Sequence, residues 1–187
     1  MRRALLLIDI QTGMDDPVLG ARNNPGAEAN AARLLARYRG TGAPLVHIRH
    51  LSKNPASSLY LGKPGTAFKP EVAPQEGETV FEKATNSAFI GTPLDSHLRE
   101  WGVEGVVIAG LSTPQCVSTS ARMAANLGFD VWLAHDACAA FDTHASNDWA
   151  PEMPPLTAQQ IHDMEICILH GEFVTARSTQ EIIDSPL

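Results

Sequence analysis

The chain has 187 residues, enough for one domain with a sizeable core, and its 44% apolar content argues against a disordered segment. No apolar run approaches bilayer length, and a formal charge of −7 without any basic cluster argues against nucleic acid and membrane surfaces as partners. Cys116, Cys138 and Cys167 are widely spaced and form no CxxC pair, so neither a disulfide framework nor a zinc knuckle is expected, and a reducing, cytoplasmic setting is.

Strand-like and helix-like patterns alternate along the chain. After Met1-Arg2-Arg3, the apolar run at 4–9 could be taken for a leader, but Asp9 interrupts it and no small-residue cleavage site follows, so it reads as a first core strand. Residues 27–39 carry Ala27, Ala31, Leu34, Leu35 and Tyr38 on one helical face. Residues 44–49 read as a second strand. The stretch 51–78, rich in Pro, Gly, Ser and Lys, reads as a long irregular segment of the kind that covers a site or packs on a neighbouring subunit.

A short strand is expected at 79–83. Thr92-Pro93 then opens a helix that buries Leu94, Leu98 and Trp101. The β-branched run 105–109 reads as a buried parallel strand, followed by a helix to Leu127 whose Ala121, Ala124 and Ala125 suit close packing on a sheet. Further expectations are a strand at 130–136, a proline-rich loop at 147–156, and a helix at 157–169 with Ile161, Met164 and Ile168 aligned. A strand at 172–176 and a capping box of Ser178 with Glu181 complete the series. No repeat or linker divides the chain, so a single domain over 1–187 is expected. Its fold class is α/β, a three-layer α/β/α sandwich around a mainly parallel, about six-stranded sheet.

In such sheets ligands bind beyond the carboxyl ends of the strands. Asp9 ends the first strand, Lys83 ends the 79–83 strand, and Cys116 lies just past 105–109. Thr113 suits an N-cap and Pro114 the first helical position, which puts Cys116 in the first turn, where free N–H groups favour thiolate. A thiol, an acid and an amine at one edge make a coherent catalytic set: Cys116 as nucleophile, Asp9 as proton acceptor and donor, Lys83 holding both charged. Taken singly, Asp9 could merely close a turn, Lys83 could be a solvated strand-end charge, and Cys116 a buried structural thiol. Cys138 and Cys167 read as small buried hydrophobes.

Three stretches carry a resemblance: Leu5-Leu6-Leu7-Ile8-Asp9-Ile10-Gln11, Glu82-Lys83-Ala84-Thr85-Asn86-Ser87-Ala88-Phe89, and Ala109-Gly110-Leu111-Ser112-Thr113-Pro114-Gln115-Cys116-Val117. With Gly128-Phe129-Asp130-Val131 and Asp136-Ala137-Cys138, the ordered set resembles the isochorismatase-like cysteine hydrolases, the superfamily of nicotinamidases and N-carbamoylsarcosine amidase. The resemblance implies an Asp9–Lys83–Cys116 triad and a thioester intermediate. It also implies a non-proline cis peptide at Leu111–Ser112, with the backbone N–H groups of Ser112 and Cys116 as the oxyanion hole; the Thr113 hydroxyl is then expected to bond elsewhere, at the Gln115 N–H for instance. Homo-oligomers, dimers or tetramers, are a further implication.

The departures are informative. Metal-binding nicotinamidases carry Asp-x-His after the second strand; here His50 and Ser52 stand at those places, so no metal and no other cofactor is expected. Isochorismatases proper lack the cysteine, so Cys116 points to C–N cleavage. Met14 stands where many members carry Phe, which implies a differently shaped pocket wall. Gln11, Met14, His50, Asn86, Phe89 and Gln115 are the candidate substrate-binding residues. The expected activity is cysteine-dependent hydrolysis of a small non-peptide amide, carbamoyl or ureido compound. The alternative is a catalytically silent ligand-binding or assembly module of the same fold.

Overall fold

The computed structural model describes residues 1–186. Among these, the strands β1 (Arg3–Ile8), β2 (Leu45–His50), β3 (Thr79–Lys83), β4 (Gly105–Leu111), β5 (Asp130–Ala139) and β6 (Thr175–Arg177) pair in parallel in the order β3-β2-β1-β4-β5-β6. The helices are α1 (Ala27–Thr41), α2 (Leu94–Glu100), α3 (Ser118–Asn126), α4 (Ala158–Leu169) and α5 (Thr179–Asp184).

The three layers follow from the period-2 geometry of β1. Every residue of this strand is buried, as a parallel strand covered on both faces must be. Leu6 and Ile8 join the cluster built with Leu94 and Leu98 of α2 and Ala121 and Ala124 of α3. Leu5 and Leu7 point the other way, onto Leu34, Leu35 and Tyr38 of α1 and Ile182 of α5. Each fully buried Leu of this kind contributes roughly 1.5–3 kcal/mol, so one strand secures both layers. Thr157 caps α4 through a capping box with Gln160, and Ser178 caps α5 through one with Glu181.

From β1 the chain steps outward to β2 and β3, then returns to lay β4 on the other side of β1. The order therefore reverses between β1 and β4, the place where such sheets open a crevice at their carboxyl ends. Gly110 keeps the two strands flush there. Its φ is 145°, and a Cβ at this position would stand 2.0 Å from the carbonyl oxygen of Ile8.

The long segment between β2 and β3 is irregular apart from short 3₁₀ turns at Pro64–Thr66 and Pro70–Val72. It is strapped to the stretch after β1: the Thr12 N–H donates to Ala67 O at 2.8 Å and the Lys69 N–H to Ile10 O at 3.0 Å. Gly65 allows this approach, since a Cβ on it would meet Ser58 O at 2.3 Å and the Cα of Gly13 at 2.9 Å. Lys69, almost wholly buried, clamps the strap by donating to Asp15 at 2.5 Å and Glu28 at 2.6 Å.

Three expectations change. On α4 the buried arc runs through Ala158, Ile161, His162 and Leu169, with Ile161 at its border. Met164, Cys167 and Ile168 therefore face outward, so Cys167 is not a buried hydrophobe, whereas Cys138 is. The last strand is only the three residues of β6, because the chain turns around His170–Val174 before it reaches the sheet edge. The helix expected to begin near Thr113 opens instead as a π turn, Thr113–Val117, with Ser112 at the cap position, and becomes α-helical at Ser118.

Candidate active site

Asp9 is the first residue beyond β1 and has left-handed backbone, φ 54°, a region that Asp tolerates better than most residues. Lys83 closes β3, with β2 between it and β1. Its side chain crosses beneath His50, the last residue of β2 and its register partner. Cys116 stands on the π turn after β4.

The Lys83 ammonium is the hub of these residues. Its Nζ lies 2.6 Å from Asp9 Oδ2, 3.0 Å from His50 Nδ1, 3.1 Å from Thr85 O and 3.2 Å from Cys116 Sγ. An ammonium has three protons, so four acceptors share them, and His50 Nδ1 must present its lone pair. Lys83 and Asp9 are buried in direct contact. The second Asp9 oxygen, Oδ1, has no hydrogen-bond partner, and Asp9, His50 and Cys116 bring one ligand-type atom each within 4.8 Å of one another. These three do not fit a metal ion, since the Lys83 ammonium already stands 2.6–3.2 Å from all of them and supplies the positive charge.

Burial sets the protonation states. It pushes the Cys116 thiol up to about 12, helped by the Asp9 charge and opposed by Lys83. Burial and the Asp9 charge therefore work against the thiolate expected from the first-turn position, and Lys83 works for it. Burial also raises Asp9 above the ordinary carboxylate range against the pull of Lys83, which makes it a stronger base. His50 is lowered by burial and by Lys83, and His144 by burial.

A cavity of about 240 Å³ opens above these groups. Met14, His50, Asn86 and Gln115, all expected at the pocket, line it together with Asp9, Ser112 and Cys116. The cis peptide at Leu111–Ser112 is present. Gln11 and Phe89 lie elsewhere. The fully buried Gln11 carboxamide accepts from His50 N–H at 2.8 Å and donates to His50 O and Thr66 O, both at 3.0 Å, so it fixes β2 and the strap rather than facing the cavity. Phe89 is core, its ring stacked on Phe129 at 6.2 Å.

The Thr113 hydroxyl avoids the Gln115 N–H, which bonds Ser112 O, and pairs with His162 Nδ1 at 2.8 Å. The cavity wall also contains residues that sequence patterns do not single out for it. Ser57, Ser58 and Leu59 come from the aperiodic strap, and Leu19 from a short turn. His144 follows β5, its Nδ1 2.7 Å from the Ser112 hydroxyl. The strand-end rule that selects Asp9 and Cys116 selects His144 too when it is applied to β5.

The isochorismatase domain model matches residues 3–161. A crystal structure of a hydrolase of the isochorismatase family from Chromobacterium violaceum superposes with a TM-score of 0.91 at 47% identity, covering 97% of this chain and 92% of that one. The isochorismatase family protein YrdC of Bacillus subtilis is 39% identical over 183 residues, 98% of this chain and 95% of its own. The maleamate amidohydrolase of Pseudomonas putida is 39% identical over 142 residues, 67% of each chain. The six-stranded parallel sheet accords with these matches along nearly the full length, and the chain belongs to the isochorismatase family of hydrolases.

Proposed function

We propose that the protein is a cysteine-dependent amidohydrolase that cleaves a C–N bond of a small non-peptide amide, carbamoyl or ureido compound. The observation that carries this reading is the Lys83 ammonium held between Asp9 and Cys116 under a small cavity. Relatedness to a maleamate amidohydrolase supports the C–N bond as target.

Cys116 Sγ attacks the carbonyl carbon while its proton passes to the unpartnered Oδ1 of Asp9. Raised Asp9 basicity and the Lys83 charge offset the cost of forming a buried thiolate. The oxyanion meets the backbone N–H groups of Ser112 and Cys116. Asp9 returns the proton to the leaving nitrogen as the C–N bond breaks, leaving a thioester and a free amine or ammonia. Water, losing its proton to Asp9, then cleaves the thioester and frees the acid and the thiol.

The test is a panel of small amides scored by ammonia release, with the enzyme quenched during turnover and weighed intact. A covalent acyl mass on the Cys116 peptide is expected, and Cys116→Ala should lose activity by on the order of 10³-fold or more. A panel that gives ammonia with undiminished rate in Cys116→Ala would sink the mechanism. Binding without ammonia or adduct would favour the silent ligand-binding module.

A further inference from the structure

We infer that the cavity selects an uncharged amide or ureide and discriminates against amides that carry a carboxylate; turnover of the selected compound rests on the amidohydrolase reading, whereas its binding does not. Among the described residues, no Lys or Arg lines the cavity, and the formal charge facing it is the Asp9 carboxylate, neutralised from below by Lys83. His50 cannot serve as a cation there, because its Nδ1 already accepts from the Lys83 ammonium. His144 has its Nδ1 on the Ser112 hydroxyl, and burial disfavours its charged form.

Three cations of the neighbouring segments are committed elsewhere. Lys63 of the strap donates to Pro55 O at 2.7 Å and Ser57 O at 3.0 Å, Lys69 is held by Asp15 and Glu28, and Arg22 by Glu28 at 2.8 Å. A carboxylate entering this space would surrender its hydration with no positive partner and would approach Asp9, within a molecule of net charge −7. What the wall does offer is paired donor and acceptor capacity. The Gln115 carboxamide makes no side-chain hydrogen bond among the described residues, and Asn86 Oδ1 stands 3.8 Å from Cys116 Sγ. An amide, with one acceptor and one or two donors, matches that complement, and about 240 Å³ limits it to a small one.

The experiment uses matched pairs, succinamide against succinamate and maleamide against maleamate. Ammonia release is measured with the wild-type protein, and binding to Cys116→Ala by calorimetry. We expect the diamide to exceed the carboxylate partner at least tenfold in kcat/KM and in affinity, beyond the twofold statistical factor of two equivalent amides. Leu19→Arg, which sets a cation in the wall, should lower that preference at least tenfold. Equal or better use of the carboxylates, or a preference unmoved by Leu19→Arg, overturns the inference. If no ammonia appears from either member, a tenfold binding preference for the diamide in Cys116→Ala upholds the selectivity while the hydrolase reading fails. No binding preference overturns the selectivity.

Discussion

At the scale of single residues, the site rests on a proton balance that burial makes unusual. A thiol lifted to about 12 is a poor nucleophile at rest, and a lifted carboxylate beside it is a good base. The two shifts suit a thiol that ionises only as it attacks. The chain contains its own control, since Cys167 is exposed on α4 while Cys116 is buried. With iodoacetamide at pH 7–8, Cys167 is expected to be alkylated first and Cys116 slowly, its rate still rising above pH 9; peptide mass mapping reads both. Rapid Cys116 alkylation with a midpoint below the ordinary thiol value of about 8.5 would show that Lys83 outweighs desolvation. Asp9→Asn removes the acceptor of the thiol proton and should lower kcat by about 10²–10⁴-fold, the usual worth of a general base.

At the scale of elements, the Thr113–Val117 turn is held from outside the cavity. The Asn24 amide nitrogen donates to Cys138 O at 2.8 Å and His135 O at 3.3 Å, which fixes its orientation as a donor. It lies 3.4 Å from His162 Nε2, so that nitrogen presents its lone pair and Nδ1–H donates to Thr113. His162 is thus a positioning residue, bonded to a threonine three positions from the nucleophile. His162→Phe should lower kcat about tenfold with KM within twofold, because it loosens Cys116 without touching the wall, and His162→Gln, which keeps a donor, should recover much of the loss. A KM change as large as the kcat change would place His162 in recognition instead. The elements themselves are legible in the sequence wherever periodicity is strong: β1, α1 and β4 bury the residues their patterns name, α2 buries Leu94 and Leu98 while Trp101 at its C-cap is only partly buried, and Asp9, Lys83 and Cys116 follow from strand ends. Gln11 and Phe89 turn away from the cavity, because adjacency in a motif does not say which way a side chain points. The strap is readable as irregular but not as a cavity wall, since its course depends on Gly65 approaching Gly13 and on Lys69 finding Asp15 and Glu28, contacts with no local pattern.

At the scale of the whole molecule, buried titratable groups set how the fold meets acid. His47, His50, His144 and His162 are all lowered from 6.5 by burial, so below that pH the unfolded chain takes up protons that the folded one refuses, and stability falls. Glu28, held by Arg22 and Lys69, and Glu78, held by Arg39 and His47, are lowered from 4.5 to about 2; their contribution is complete above 4.5 and drains away towards 2. Asp9 runs in the opposite sense, because protonation relieves its burial, but it is one group against six. Urea unfolding across pH should therefore show one decline beginning near 6.5 and a steeper one below 4.5. Glu28 and Glu78 pin the later part of the strap to α1, the first through Lys69 and the second through Arg39, so Glu28→Gln combined with Glu78→Gln should cost on the order of 1–3 kcal/mol per site at pH 7 and progressively less on acidification. Wild-type and double-variant curves that stay parallel from pH 7 to pH 3 would mean that these carboxylates gain nothing from their ionised form, and the acid sensitivity would then have to come from the four histidines alone.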